Sequence, residues 1–297
     1  MPTSHMDAKD ILAHAGHLGR MNMRVFRDLF GMHPESIANI AHEILDNASK
    51  VRDLLMTLHY LKCYPLVHVG SLQWGLHHRT YMNRILEMLH LIDGNLTIEL
   101  SDRKYHPPLS NRGLFAGIHL IVDGTVCPIN RPSNTEDMLY HLSGKHKSVC
   151  IKYEVGVNIV TGEIVWVGGP IGGSVHDMLL LRMGGLLDRM EPGEKMLADK
   201  GYVGEDESDK ILTPTKRDRG MEERDLPVEV QLRNRKIQNV RVLVEHSIGR
   251  IKRFSILRDR FRNVLEMHGM VFRVCCKLTN LDLVYFPLRN APHAHLI

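Results

Sequence analysis

The chain has 297 residues, of which 43% are hydrophobic and 24% charged, and its formal net charge is +4. These values are typical of a folded soluble protein with one large domain or two modest ones. The mild positive charge permits nucleic-acid binding without requiring it. No run of about 18 apolar residues occurs, which excludes a predicted membrane span, and no membrane partner is expected.

The cysteine pattern argues against a disulfide-stapled or zinc-binding protein. The number of cysteines is odd, and no two of them form a CxxC pair. They are Cys63, Cys127, Cys150, Cys275 and Cys276. A reducing compartment fits this usage better. The first ten residues also lack the apolar core of a signal peptide. We therefore expect an intracellular protein.

The first third of the chain has the apolar spacing of helices. Residues 20–50 carry such a stripe, and His33-Pro34 marks a helix start. An amphipathic helix follows over residues 51–61. A short helix is predicted over residues 67–74, and a further helix begins at residue 77.

These last three helices have the layout of a helix-turn-helix. Gly75 supplies the turn between the short helix and the final one. Arg79 and Thr80 then lie near the front of the second helix, where base edges and phosphates are met. A plain three-helix bundle whose polar turn carries no function fits the same residues equally well. The sequence leaves both interpretations open.

A polar stretch over residues 94–114 is the best candidate linker, because it carries Pro107-Pro108, Asn111 and Gly113. It divides the chain into a helical region, residues 1–104, and a second domain, residues 105–297. In this second domain the apolar pattern changes from that of helices to that of strands.

The second domain reads as strand, hairpin, helix, strand, strand and helix. The predicted segments are 114–129, interrupted at Asp123-Gly-Thr125, then 149–160 and 163–168, 178–187, 196–198, 211–215, 231–254 and 264–281. A loop is predicted from Arg131 to Asp137. Antiparallel-capable strands followed by alternating helix and strand predict an α/β fold, with a mixed sheet flanked by helices.

Three acidic residues occupy informative places in this pattern. Asp123 is predicted to close the first strand, Asp199 closes a later one, and Glu245 lies in a basic helix. Carboxylates at strand ends lie where open α/β sheets bind ligands. Phosphodiester chemistry needs divalent metals held by hard oxygen ligands. For Asp199 an ordinary strand followed by an Asp-x-Gly turn is the competing interpretation.

The basic helix adds a second pattern. Arg241 precedes Glu245 by four residues and Lys252 follows it by seven, so all three share one helix face. Such a face offers a metal ligand between two phosphate-binding cations. Spacing alone favours an ordinary exposed helix with an intrahelical ion pair, because Arg/Glu pairs on helices are frequent. The basic run from Arg250 through Arg262 is either a phosphate track or a solvated surface.

Four blocks in this half of the chain resemble the DDE transposases of the PIF/Harbinger superfamily and their bacterial insertion-sequence relatives. The blocks are Val122-Asp-Gly-Thr125, Gly173-Ser-Val-His-Asp177, Ala198-Asp-Lys-Gly-Tyr202 and Val244-Glu-His-Ser-Ile-Gly-Arg-Ile-Lys252. They come in the family order. The resemblance implies an RNase H-like catalytic domain preceded by an all-α helix-turn-helix region. It also implies that Asp123, Asp199 and Glu245 form the acidic catalytic triad.

The resemblance also implies cofactors and site residues. The triad would hold two Mg²⁺ or Mn²⁺ ions. Phosphate or DNA contacts are expected from Arg241, Lys252, Lys200, Arg250, Arg79 and Thr80. The related enzymes carry a Tyr, Arg, Glu, Lys signature, and Gln238 stands here in place of the tyrosine. Asp177 and the adjacent His176 are expected near the site, with Asp177 either an N-cap or a metal ligand.

The implied function is that of a metal-dependent transposase, which cuts DNA at transposon ends and joins the freed 3′-hydroxyl to target DNA. Its partners would be double-stranded DNA, further copies of the chain and, as a candidate, a separate DNA-binding protein. A nuclear location follows if the source is eukaryotic. The alternative is a domesticated DNA-binding or scaffold protein that keeps the fold without catalysis.

Overall fold

The computed structural model describes residues 7–19, 21–104, 113–203, 209–215, 220 and 222–288. The chain divides into a helical unit, residues 1–97 with 250–287, and a sheet unit, residues 98–249 with 288–297. The predicted boundary after residue 104 stays a prediction, and residues 105–112 of the predicted linker lie outside the described ranges. No helix within those ranges is long and apolar enough to cross a membrane.

The helical unit confirms the early helical pattern. Its helices are α1 (Ala8–Ala15), α2 (Met23–Phe30), α3 (Pro34–Ile44), α4 (Val51–Cys63), α5 (Val67–Gln73), α6 (His78–Asn95), α10 (Ser255–Arg258) and α11 (His268–Tyr285). Helix α3 begins at Pro34, as predicted, because proline at the first turn loses no hydrogen bond. Helix α1 was not predicted. Its N-cap Asp7 and Asp10 form a reciprocal capping box.

Helices α4, α5 and α6 confirm the predicted order of helix, short helix and helix. Gly75 turns the chain between α5 and α6 with a φ of 64°. Gly70 of α5 packs on Tyr81 of α6 so closely that a Cβ there would lie 2.8 Å from Tyr81 Cζ. Arg79 and Thr80 are exposed at the start of α6. A plain bundle has the same layout, so their DNA-binding role stays a prediction.

The sheet unit contains the predicted mixed sheet. Its elements are β1 (Ile118–Pro128), α7 (Thr135–His141), β2 (Leu142–Ser143), β3 (Ser148–Asn158), β4 (Ile164–Gly172), α8 (Asp177–Gly184), β5 (Lys195–Leu197), β6 (Ile211–Leu212) and α9 (Val228–Ile251), the last extending just past this unit. Strands run in the order β4-β3-β1-β5-β6, and β2 also pairs with β3. The β1, β3 and β4 pairs are antiparallel, whereas β5 and β6 continue in parallel from β1. The α/β prediction is therefore confirmed.

Several sequence-based expectations differ from the structure in this unit, among them the following three. Strand β1 continues through Asp123, which the sequence placed at the strand's end, because Gly124 pairs opposite Glu154 and the ladder is not broken. Part of the predicted 131–137 loop is helix α7, capped by the Asn134 side chain. The basic helix, predicted over residues 231–254, is α9, which begins at residue 228 and ends at Ile251, one residue before Lys252.

The two faces of the sheet have different roles. Leu120, Val122, Met196 and Ala198 pack in an apolar core that includes residues of α8. Because side chains alternate across a strand, the residues between them project from the opposite face. That opposite face carries Asp123.

Candidate active site

The pairing of β1 with β5 places two aspartates side by side. Ile121 pairs with Leu197 in this parallel ladder. Asp123 and Asp199 each follow two residues later, so they lie at the same level on the same face. The side-chain period of the strand and the register of the ladder together bring these carboxylates to one edge of the sheet.

Helix α9 brings the third carboxylate to this place. Glu245 and Arg241 are one helical turn apart on α9, and Arg241 is buried. Two residues beyond Glu245, the buried Ser247 hydroxyl donates to the Gly162 carbonyl at 2.6 Å. This bond attaches α9 to the turn between β3 and β4, and thereby to the sheet that carries the aspartates.

The Arg241 guanidinium contacts all three carboxylates. Its Nη1 lies 3.3 Å from Asp199 Oδ1. Its Nη2 lies 3.7 Å from Asp123 Oδ2 and 3.9 Å from Glu245 Oε1. The structure therefore brings the three predicted triad residues around one cation, with the Arg241 side chain 6% exposed.

Burial dominates the electrostatics of Asp123. It raises the pKa of this carboxyl to about 6, against the opposing effects of Arg241 and of the Gly124 amide. That amide donates to Asp123 Oδ1 at 2.8 Å. The neighbouring Asp199 and Glu245 charges raise the Asp123 pKa further. A bound cation would therefore stabilise the ionised form of the Asp123 carboxylate.

The donor set suits a hard divalent cation. Among the described residues, no three His, Cys, Asp or Glu side chains form a group that could hold a metal ion as it stands. Three carboxylates instead converge on a guanidinium, which supplies positive charge at their centre. Carboxylate oxygens are the ligands that Mg²⁺ and Mn²⁺ prefer. The donor chemistry of these residues therefore fits the implied ions, while the carboxylates are arranged around Arg241 and not as a preformed metal site.

A cleft of about 410 Å³ opens beside Asp199. Six of its eight lining residues are polar or charged, and two of them are cationic. The lining residues are Asp199, Lys200, Pro214, Leu226, Asn234, Arg235, Gln238 and Asn239. Lys200 follows Asp199 in the 3₁₀ turn Lys200–Tyr202, so the predicted phosphate-binding lysine does border the site.

Comparison with known proteins agrees with this geometry. A family model described as DDE superfamily endonuclease matches residues 122–280, more than half of the chain and a range that includes all three carboxylates. The chain belongs to the DDE superfamily endonucleases. No solved structure gives a significant match to it.

Two relatives of this DDE superfamily member are named, respectively, a probable and a putative transposase. One, for insertion sequence element IS702 of Microchaete diplosiphon, is 25% identical over 231 residues, 77% of this chain and 79% of that protein. The other, for insertion sequence element IS112 of Streptomyces albus G, is 30% identical over 141 residues, 47% of this chain and 50% of that protein. These matches confirm the resemblance at the level of DDE transposases. They lend no support to a nuclear location.

Gln238 replaces the tyrosine of the related insertion-sequence signature in this DDE family chain. Its Nε2 donates to Glu245 Oε1 at 3.4 Å, and its Oε1 accepts from Arg241 Nη1 at 3.3 Å. The glutamine thus joins the same network of charges. Its amide can do so because residues 238, 241 and 245 share one face of α9.

The sequence reasoning did not select Arg235, which lines the cleft beside Asp199. Its helical spacing was available as a signal, because Arg235 precedes Gln238 by three residues on the same helix. Its place beside Asp199 depends on how α9 packs, and the sequence alone does not give that packing.

Two further cations predicted to bind phosphate, Arg250 and Lys252, belong to the helical unit. The Arg250 guanidinium donates to the Phe286 carbonyl, and burial lowers the pKa of Arg250. The Lys252 amine donates to the Leu257 carbonyl at 3.2 Å. Both side chains therefore make contacts within their own unit, and their phosphate-binding role stays a prediction.

The predicted phosphate track contains further structural cations. Arg253 pairs with the buried Asp282 at 3.0 Å. The Arg262 guanidinium lies over the Tyr64 ring, 3.9 Å from its centroid. These two arginines stabilise the helical unit, so neither of the simple sequence alternatives, a track or a solvated face, describes the whole run.

Asp177 does not cap α8, contrary to one of the two sequence interpretations. The N-cap is His176, whose Nδ1 accepts from the Met178 amide at 3.4 Å, and the helix begins at Asp177. The Asp177 carboxylate instead pairs with Lys152 at 3.1 Å. It belongs to a different set of contacts from the triad.

Proposed function

We propose that this chain is a metal-dependent DNA transposase of the PIF/Harbinger type, with an RNase H-like catalytic domain. The observation that carries the proposal is the convergence of Asp123, Asp199 and Glu245 on one guanidinium. Three carboxylates from two strands and one helix form a concentrated negative site. The family match and the relatives named as transposases support the assignment to phosphodiester chemistry in DNA.

In this proposal the three carboxylates hold two Mg²⁺ or Mn²⁺ ions. When bound, such ions activate the attacking oxygen and stabilise the leaving oxygen of a phosphodiester. The carboxylates would hold the ions close together, because the β1–β5 ladder places Asp123 beside Asp199. The attacking oxygen would be that of water in the cutting step and that of the freed 3′-hydroxyl in the joining step.

Positive side chains next to the carboxylates are proposed to bind the DNA backbone. Lys200 and Arg235 border the cleft that begins at Asp199. Arg241 lies among the carboxylates, where it would be close to a phosphate that reaches the proposed metal ions. Cations in these places would compensate the charge that develops on the phosphorus oxygens. Arg250 and Lys252 are kept as proposed phosphate contacts of the helical unit.

The remaining partners follow from the same assignment. Helices α4 to α6 are proposed to act as a helix-turn-helix, with Arg79 and Thr80 contacting DNA, because both side chains are exposed at the start of α6. A homo-oligomer is proposed because a transposase must act on two transposon ends. A separate DNA-binding protein is a second proposed partner.

Mg²⁺-dependent nicking of supercoiled plasmid DNA tests the proposal. We expect the full chain to nick the plasmid with Mg²⁺ and not with EDTA. The variant Asp199→Ala should lose this activity and keep its circular dichroism spectrum. Asp188→Ala, in the same unit but on an exposed turn, is the control and should retain full nicking.

The outcomes separate the rival functions. Equal nicking by Asp199→Ala and the wild type would refute the catalytic assignment. DNA binding by the wild type without any nicking would favour a domesticated DNA-binding protein. A chain that assembles with a partner but has no affinity for DNA would favour a scaffold.

A further inference from the structure

We propose that Asp177 is a positioning residue, which holds the two catalytic aspartates at a fixed separation from the opposite side of the sheet. The inference rests on the proposed function, since it assumes that Asp123 and Asp199 bind metal together. Asp177 lies at the start of α8, and α8 packs in the apolar core on the face away from the carboxylates.

The Asp177 carboxylate packs against two glycines, one beside each aspartate. A Cβ on Gly124 would lie 3.1 Å from Asp177 Oδ1, and a Cβ on Gly201 would lie 3.0 Å from Asp177 Oδ2. Gly124 directly follows Asp123, and Gly201 comes two residues after Asp199. One carboxylate therefore lies against the backbones of both catalytic segments, and a side chain at either glycine would force it to shift.

Lys152 fixes the Asp177 carboxylate in place. Its amine lies 3.1 Å from Asp177 Oδ1 and also donates to the Val175 carbonyl at 2.5 Å. The two side chains are 13% and 26% exposed, so solvent screens the pair only partly. Lys152 belongs to β3, the antiparallel neighbour of β1. The ion pair thus connects the central strand β3 to the first residue of α8.

Asp199 needs such support more than Asp123 does. Asp123 is held within the β1 ladder, whereas Asp199 lies just beyond the last residue of β5. The backbone around it is fixed by the Ala198 amide, which donates to the Leu212 carbonyl at 3.0 Å, and by the Tyr202 amide, which donates to the Asp199 carbonyl at 2.9 Å. Asp177 contacts this turn from the face of the sheet that lies away from the catalytic carboxylates.

Calorimetric titration of Mg²⁺ into the full chain tests the proposal independently of cleavage. We expect Asp177→Asn to weaken Mg²⁺ binding about 10- to 100-fold, the usual effect of losing a group that orients metal ligands. Asp53→Asn is a matched control, because Asp53 pairs with Arg84 at 3.2 Å and its side chain is 23% exposed. The control should leave Mg²⁺ affinity unchanged.

Lys152→Met separates positioning from direct ligation. If Asp177 positions the aspartates, losing Lys152 releases its carboxylate from the glycines and weakens Mg²⁺ binding. If Asp177 were itself a ligand, losing the competing amine would strengthen binding, and that result would overturn the proposal. We also expect the losses of Lys152→Met and Asp177→Asn to be non-additive in the double variant, because the two residues act as a pair.

Gly201→Ala provides a test that leaves Asp177 itself unchanged. Its new methyl group would displace the Asp177 carboxylate, and we expect weaker Mg²⁺ binding. Gly144→Ala is the control, because a Cβ there meets nothing within 4 Å. If both Asp177→Asn and Gly201→Ala lower only the melting temperature and bind Mg²⁺ as their controls do, Asp177 is merely structural. A wild-type chain that binds no Mg²⁺ would instead refute the proposed function.

Discussion

The Arg241 guanidinium lies 3.3 Å from the Asp199 carboxylate, and it also contacts Asp123 and Glu245. Arg241 is therefore the counter-ion of the whole acidic cluster. Without it, three negative charges would repel one another in a partly buried place. Arg241 keeps the carboxylates converged before any metal arrives.

Replacing Arg241 with methionine should destabilise the metal-free protein. We expect the free energy of unfolding to fall by about 2 kcal/mol, less than for a fully buried pair because the carboxylates are partly exposed. Mg²⁺ should then stabilise the variant more than it stabilises the wild type, since the ions replace the missing charge. Urea unfolding with and without Mg²⁺ measures both effects.

The control for Arg241→Met is Arg233→Met on the same helix. The Arg233 guanidinium donates to the Thr213 carbonyl and to the Thr215 hydroxyl rather than to a triad carboxylate. Equal stabilisation of wild type and Arg241→Met by Mg²⁺ would contradict the counter-ion role.

Glu154 should make the stability of the protein depend on pH. This side chain is fully buried, and Trp166 Nε1 donates to its Oε1 at 2.9 Å. Burial raises the pKa of Glu154 to about 7, from an ordinary value of 4.5. The folded protein therefore holds a proton that the unfolded chain releases between these two values.

The direction of the effect follows from this difference. The stability that the protonated Glu154 contributes is fully present below pH 4.5 and is lost as the pH rises through about 7. Glu154→Gln stays neutral, so it should exceed the wild type in stability by about 3 kcal/mol above pH 7 and by little below pH 4.5. Chemical denaturation across this range checks the expectation. A difference that does not change with pH would disprove it.

Arg235 should contribute to DNA affinity through a backbone phosphate. The slope of log K against log salt concentration should become shallower by about 0.9 in Arg235→Gln, the value for one lost contact to duplex DNA. Lys236→Gln is the matched control, because Lys236 is adjacent on the helix and exposed but does not line the cleft. Fluorescence anisotropy at several salt concentrations gives the slopes. Identical slopes for the two variants would remove Arg235 from the proposed interface.

Ser247 should stabilise the attachment of α9. Its buried hydroxyl donates to the Gly162 carbonyl, which would be left without this partner in Ser247→Ala. We expect a loss of about 1 to 2 kcal/mol in the free energy of unfolding. Thermal or urea unfolding measures the loss. An unchanged midpoint would show that another donor satisfies the carbonyl.

The apolar pattern of the sequence predicted which strands and helices carry the site better than it predicted the residues at which they begin and end. The hairpin, the strand before Asp199 and the basic helix are all present, because their apolar periodicity reflects burial on one face. Asp123 was misplaced at a strand end, since an Asp-Gly pair usually marks a turn. Here the ladder with β3 overrides that local preference.

Tertiary contacts explain what the sequence could not supply. Helical spacing placed Arg241 beside Glu245, but its contacts with Asp123 and Asp199 depend on the docking of α9 against the sheet. The sequence predicted Asp177 near the site, but not its contacts with Gly124 and Gly201, because these glycines are far from it along the chain. The resemblance predicted the triad, and the register of β1 with β5 gives the physical reason why its two aspartates lie side by side.

The β1–β5 register also limits where residues can be inserted into this chain or deleted from it. Deleting one residue between Ile121 and Asp123, or between Leu197 and Asp199, would turn the carboxylate through the sheet onto the apolar face. There it would meet the core around Leu120 and lose its counter-charge. Insertions and deletions in these two short intervals should therefore inactivate the chain even where many single substitutions are tolerated.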